Sequence, residues 1–288
     1  MPNIMDSIWI DDIEIIMSKG FIKTADVAPE CYEKIEDPNA IIDKIKKKYG
    51  KFDIFSFGQR LPNTKPLFSY YNEGQSIAAL KIDSYEAWSK KQISKDTRKN
   101  IKKATNKGVL VKIASPDDNF MYGVQKIYNE SPVRQGKPFW HYNKDIATIN
   151  KENTYLDDSI FIGAYFEDEL IGFIKMFCTN DCASTLQVIS MIKHRDKKVT
   201  NALIAKAVEF CASNNITYLQ YGVWSDGSLG QFKISNGFTK IIIPYYFLPL
   251  TFCGKLALRL NLHKGIKGVL PPKIKQSLID LRSRWYTK

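Results

Sequence analysis

Four short stretches carry side chains able to do chemistry. The first is the loop PVRQGKPFWHY, residues 132–142. An imidazole titrates near neutrality and is the usual side chain for taking a proton from an ammonium, so His141 is a candidate base. A guanidinium can hold a carboxylate or phosphate in a two-pronged fork. Arg134, with Gln135, Trp140 and Tyr142, is therefore a candidate substrate contact, against the alternative of a packed aromatic loop. The second stretch, IKHRDKKVTN at 192–201, is basic, free of glycine and opens an apolar-periodic run. The first N–H groups of a helix face whatever anion lies before it. Ile192, Lys193, Arg195, Lys197, Lys198, Thr200 and Asn201 are thus candidates for a donor's phosphates, against a solvated basic turn. In the third, QYGVWSD at 220–226, Tyr221 and Trp224 are candidate substrate contacts. Asp226 there is either a second base or a helix cap. The fourth, QFKISNGF at 231–238, offers Lys233 to a phosphate or a developing anion, against a solvated lysine. His194 and His263 read as surface residues. The five cysteines are scattered without a Cys-x-x-Cys pair and the chain has three histidines, so no metal site is expected.

The elements that must position these groups follow from pattern. NAIIDKIKKKYG reads as a helix with Ile41, Ile42 and Ile45 inward and Gly50 as its stop. DIFSF, PLFSYY and SIAALKI read as three strands. Residues 84–108 form a basic helical segment broken near Ser94, followed by the strand VLVKI. A helix beginning at Pro116-Asp117-Asp118 turns Met121, Val124, Ile127 and Tyr128 inward. SIFIGAYF and LIGFIKMF, separated by a short charged break, are a hairpin. STLQVISMI makes it a three-stranded meander, with Cys178 and Cys182 flanking the second turn. Val199, Leu203, Ala207 and Phe210 then mark one face of a helix. The strand ITYLQYGV, a short helix ending at Gly237, and the strand TKIIIPYYFL complete the order.

Hydrophobic residues make up 44% and charged residues 25% of the 288, a globular composition. No run approaches the ~18–20 apolar residues of a spanning helix. The N-terminus MPNIMDSIWIDDIEII lacks a signal peptide's basic flank and cleavage site, so a cytoplasmic protein is expected. The net charge of +12 is concentrated. Residues 84–108 hold eight Lys/Arg against two acids, and residues 254–288 nine against one. The tail reads as two short basic amphipathic helices, KLALRLNL and a second after Pro271-Pro272. Such a tail suits peripheral contact with the inner face of an anionic membrane, or docking on the core.

The order strand, helix, long loop, meander, helix, strand, short helix, strand over residues 109–250 resembles the GNAT acyltransferases. The ending with Phe232, Gly237 and Phe238 resembles that family's closing aromatic-Gly-Phe signature. Two features depart from it: the diphosphate loop has no glycine between Met191 and Leu203, and the general-acid tyrosine aligns with Lys233. The FemAB-like branch, which joins two GNAT-like halves and lacks the glycine loop, is the better resemblance. It is carried by Arg98, Ile101, Lys103 and Ala104, by Phe232-Lys233, and by KPLFSYY and IDSYEAW.

The resemblance implies an α/β mixed-sheet, GNAT-like fold. It would comprise a partial N-terminal half at 1–83, a basic helical linker at 84–108, a core at 109–250 and a basic tail at 251–288. It also implies an N-acyltransferase that moves an acyl group from a thioester such as acyl-CoA or acetyl-CoA to an amine. The amine would sit on a small molecule or glycan intermediate, such as an amino sugar of surface-polysaccharide or cell-envelope biosynthesis. The alternatives are a FemX-type aminoacyltransferase using aminoacyl-tRNA, with Arg98–Lys107 as a phosphate track, and a non-catalytic binding protein at a membrane surface.

Overall fold

The computed structural model describes residues 5–155 and 159–264. The element order is β1 (Met5–Ile10), β2 (Ile13–Lys19), β3 (Lys23–Val27), α1 (Pro38–Tyr49), β4 (Ile54–Gly58), β5 (Asn72–Lys81), α2 (Tyr85–Ala87) and α3 (Lys95–Asn106). It continues with β6 (Leu110–Ala114), α4 (Asp118–Asn129), the short pair β7 (Val133–Arg134) and β8 (Lys137–Pro138), α5 (Ile146–Thr154), β9 (Ser159–Phe166), β10 (Glu169–Cys178) and β11 (Cys182–Ser190). It closes with α6 (Val199–Ser213), β12 (Tyr218–Val223), α7 (Gly227–Ser235), β13 (Thr239–Pro249) and α8 (Phe252–Arg259). The second basic helix expected after Pro271-Pro272 lies outside the described residues. Among those residues, no helix is long and apolar enough to cross a membrane.

Two compact units result. One combines residues 1–75 with 242–288, and the other is the contiguous stretch 76–241. In the first, the strand order is β1-β2-β3-β4-β13, antiparallel except for the parallel β3–β4 pair. Alternation along each strand sends one set of side chains to the core. Ile15, Ala25, Val27, Phe55, Phe57, Tyr246 and Leu248 meet Ile41, Ile42 and Ile45 of α1 there. Asp37 caps that helix by accepting from the Asn39 N–H, and Gly50 at φ 86 ends it. PLFSYY is not a strand. The Leu67 N–H donates to the Tyr246 hydroxyl (2.8 Å) and to Gln59 Oε1 (3.2 Å), so its backbone bonds go to side chains instead of a ladder. The strand begins later, at Asn72.

In the second unit the order is β5-β12-β11-β10-β9-β6. The β9–β10 hairpin turns on Glu167 and Asp168, both at positive φ, the geometry a two-residue hairpin demands. The central strand β10 is buried on both sides. Phe120 and Tyr128 of α4 pack on Phe173, while Gly172 leaves room for Val199 of α6. The break in the basic segment falls where the sequence places it. Ser94 caps α3 by accepting from the Thr97 N–H, and Trp88, fully buried, donates its indole N–H to the Asn236 carbonyl at 3.0 Å.

Removing the ring that α4 packs onto the central strand should be costly. Phe173→Ala is expected to lower the unfolding free energy by about 3–5 kcal/mol, read from the shift in a urea unfolding midpoint.

Candidate functional site

The second unit contains one place where its sheet comes apart. β11 and β12 run parallel but share a ladder only between Cys182–Ser184 and Tyr218–Gln220. Beyond it, β11 continues to Ser190 paired with β10, and β12 continues to Val223 paired with β5. Both strands are irregular at this point. Leu186 is an extra residue between Thr185 and Gln187, which pair with Met176 and Lys175. Gly222 sits at φ 58 within a register shift of β12. Bulges bend strands, and diverging carboxyl ends of parallel strands are where open α/β sheets bind ligands.

On the β12 side, α7 delivers Lys233. Its first turn lies so close to the preceding loop that a Cβ on Gly230 would come within 2.1 Å of the Ser225 carbonyl oxygen, so only glycine fits. Lys233 is 3% exposed. Its ammonium donates to the Val223 carbonyl (2.7 Å) and the Ser225 hydroxyl (3.3 Å) and lies 4.9 Å from the centre of the Tyr221 ring. Burial lowers its pKa below the ordinary 10.5 and pushes the Tyr221 phenol up to about 12. Lys233 is therefore a partly desolvated cation held at the end of β12.

On the β11 side the dominant group is Glu130, the residue that ends α4. One carboxylate oxygen accepts from the Ile192 N–H at 2.6 Å and the other from the Lys193 N–H at 2.8 Å. Arg134 completes the arrangement. Its guanidinium donates to Glu130 (3.1 Å), to the Ile127 carbonyl (2.8 Å) and to the Ser190 carbonyl (2.8 Å). The chain's own carboxylate thus fills the N–H pair where an external anion is expected, and Arg134 ties the end of β11 to α4. Nearby, the Tyr128 hydroxyl donates to Gln187 (2.8 Å), and the Ser190 and Thr200 hydroxyls lie 3.1 Å apart.

The remaining candidates fall in distinct places. His141 is buried and stacked on Tyr128 at 4.4 Å, with burial, then Lys144, pushing its pKa down to about 4. Gln135 shares a two-residue turn with Gly136, both at positive φ, and is exposed. Trp140 and Tyr142 are exposed, and the Lys144 ammonium sits 3.5 Å over the Trp140 ring. Lys193 pairs with Glu169 at 3.0 Å, Lys197 lies over Phe166 at 4.3 Å, and Lys198 takes the left-handed conformation at φ 58 that turns the chain into α6. Arg195 is exposed. Asn201 is buried and donates to Asn236 at 3.3 Å. Trp224 is half-buried, and Asp226 is exposed at the start of α7.

Two histidines read as surface residues are enclosed instead: the side chain of His194 is 12% exposed and that of His263 2%. Glu130, Gln187 and Ser190 escaped the sequence reading. Glu130 had one usable signal, since an acid at a helix C-terminus opposes the dipole and needs a partner.

Sequence comparison finds no matching family model and no matching curated protein. Solved structures do match in fold. FemX aligns with a TM-score of 0.60 at 11% identity, covering 89% of this chain and 90% of its own. The C-terminal domain of a putative lysylphosphatidylglycerol synthetase from Agrobacterium fabrum gives 0.59 at 12% identity, covering 88% and 87%. The L-PGS of Bacillus licheniformis gives 0.53 at 13%, covering 89% and 88%.

The Glu130 lock has a direct test. Glu130→Ala leaves Arg134 and two N–H groups without their acceptor, at an expected cost of about 3–5 kcal/mol. Amide exchange at Ile192 and Lys193 should accelerate well beyond that of β10, and NMR-detected hydrogen exchange reads both.

Proposed function

Starting from a GNAT-like fold of the FemAB type, we propose that this chain transfers an acyl or aminoacyl group from an activated ester or thioester to an amine. The observation that carries the reading is the parting of β11 from β12, with the Lys233 ammonium buried at its β12 edge. An acyl group lying in that gap would have its carbonyl oxygen near a preorganised cation, and such groups act most strongly where water is excluded. The tetrahedral intermediate formed by amine attack carries a negative oxygen, which in this reading the Lys233 ammonium stabilises. Asp226, exposed at the start of α7, is the group assigned in this reading to accept the amine's proton. His141, with its pKa near 4, holds a proton poorly at neutral pH. An amino sugar of a surface-polysaccharide or cell-envelope intermediate, handled in the cytoplasm, is the acceptor to which the sequence resemblance points.

A second reading of the donor has its own observation. Glu130 occupies the Ile192 and Lys193 N–H pair, which disfavours a diphosphate there and with it an acyl-CoA. Next to it, α3 packs against α6 and the 192–197 turn. It exposes Lys95, Lys99, Lys102 and Lys103. That surface suits the phosphates of an aminoacyl-tRNA. Arg98 is not part of it, because its guanidinium is spent on the carbonyls of Ser89, Lys90 and Ile93.

Two measurements decide. Lys233→Ala should lower kcat/KM by about 10²–10³ with Lys233→Arg recovering part of the loss; turnover by the alanine variant at the wild-type rate removes Lys233 from the reaction. Because the active form is the cation and its pKa is depressed, the rate should fall on an alkaline limb placed below the ordinary lysine value of 10.5. For the donor, thiol release from a panel of acyl-CoAs is compared with binding of aminoacyl-tRNA. Steep salt dependence that flattens when Lys99, Lys102 and Lys103 are neutralised supports the RNA donor, and thiol release with an amine acceptor supports the thioester.

A further inference from the structure

The first unit has a polar sheet face that the transfer chemistry leaves unused. Alternation puts Tyr246 and Leu248 of β13 in the core and turns Tyr245 and Phe247 to the other side. The same parity turns Asp26 of β3 and Ser56 of β4 to that side, away from Ala25, Val27, Phe55 and Phe57. Register lays them in a row: Asp26 is opposite Ser56, and Ser56 opposite Phe247. With Glu73, Gln75 and His263 they line a cavity of about 410 Å3.

The charges in this cavity are uneven. Glu73 is fully matched, by Lys264 at 2.9 Å, His263 Nε2 at 3.1 Å and the Tyr71 hydroxyl at 3.0 Å. Asp26 is not. Its carboxylate accepts from the Thr24 hydroxyl at 2.8 Å and from the Ser56 hydroxyl, and no cation among the described residues pairs with it. Burial raises its pKa above the ordinary 3.8. A carboxylate withdrawn from water without a counter-ion is costly, and two hydroxyl donors offset that cost only in part. A second group in the same cavity is also unsatisfied. The His263 ring, 2% exposed and 4.7 Å from Phe247, has no partner for Nδ1 among the described residues. A carboxylate lacking a cation and two half-buried aromatic faces on one cavity wall together describe a receptor for a small polar cation.

We propose that this cavity binds a primary ammonium compound of amino-sugar size. Asp26 serves as its counter-ion, and its carbon frame lies along Tyr245 and Phe247. The site belongs to the first unit and stands whether or not the second unit's cleft performs acyl transfer.

The test uses the whole chain and two probes that differ in one group, D-glucosamine and D-glucose, by calorimetric titration at pH 7. Glucosamine should bind saturably, with glucose weaker by about tenfold or more, a difference near 1.4 kcal/mol. Asp26→Asn should erase that preference. The asparagine keeps the shape and removes a half-buried charge that lacks a counter-ion, so its melting temperature should equal or exceed that of the wild type. Independently of any variant, glucosamine should shift the wild-type amide resonances of Ser56 and Phe247. Equal binding of the two sugars, a preference that survives Asp26→Asn, or absence of shifts at these amides with glucosamine and ethanolamine at tens of millimolar each overturns the proposal.

Discussion

The site in the second unit depends on a carboxylate placed against the local field. Glu130 sits at the C-terminus of α4, where the helix dipole disfavours negative charge. Two backbone N–H groups at the end of β11 and one guanidinium more than compensate. Those contacts fix the distance between α4 and the turn that leads into α6. They hold β11 against the α4 side, and the gap beside β12 follows. Charge that other anion sites take from a ligand is here supplied from within, so both N–H groups have their acceptor before anything binds.

Each unit also holds a charged side chain largely withdrawn from water, of opposite sign in the two. In the second, Lys233 is matched by a carbonyl oxygen, a hydroxyl and an aromatic face. In the first, Asp26 is matched by two hydroxyls. Among the described residues neither has an ion-pair partner, so each keeps much of its field. Such groups subtract from stability, and the large apolar cluster of each unit carries that cost.

Local signals were legible in the sequence. The Ile41-Ile42-Ile45 face, the Ser94 break, the charged Glu167-Asp168 turn and the Val199-Leu203-Ala207 stripe each reflect contacts or dihedrals within a few residues. The order of those elements was enough to indicate the fold. What was not legible depends on residues distant in the chain. Glu130 finds its donors 62 and 63 positions away. PLFSYY has strand-like composition, but a hydroxyl almost 180 residues further on takes its N–H groups. His263 and Lys233 look solvated in a polar stretch and are enclosed by Phe247 and by the end of β12. Propensity cannot see such partners, and functional side chains draw on them more than scaffold residues do.

The first unit is assembled from both ends of the chain, with β13 completing a sheet begun by β1–β4. The second is one uninterrupted stretch. On a ribosome the order of events is therefore constrained. The stretch 76–241 has all its strands and helices available while the terminal strand is still in the exit tunnel. The N-terminal strands must wait, with the edge of β4 that Tyr245–Pro249 will cover left open. An open edge on a waiting sheet is a point of vulnerability to wrong pairing. A nascent chain stalled before residue 245 would present a formed second unit while the sheet of the first unit is still unfinished.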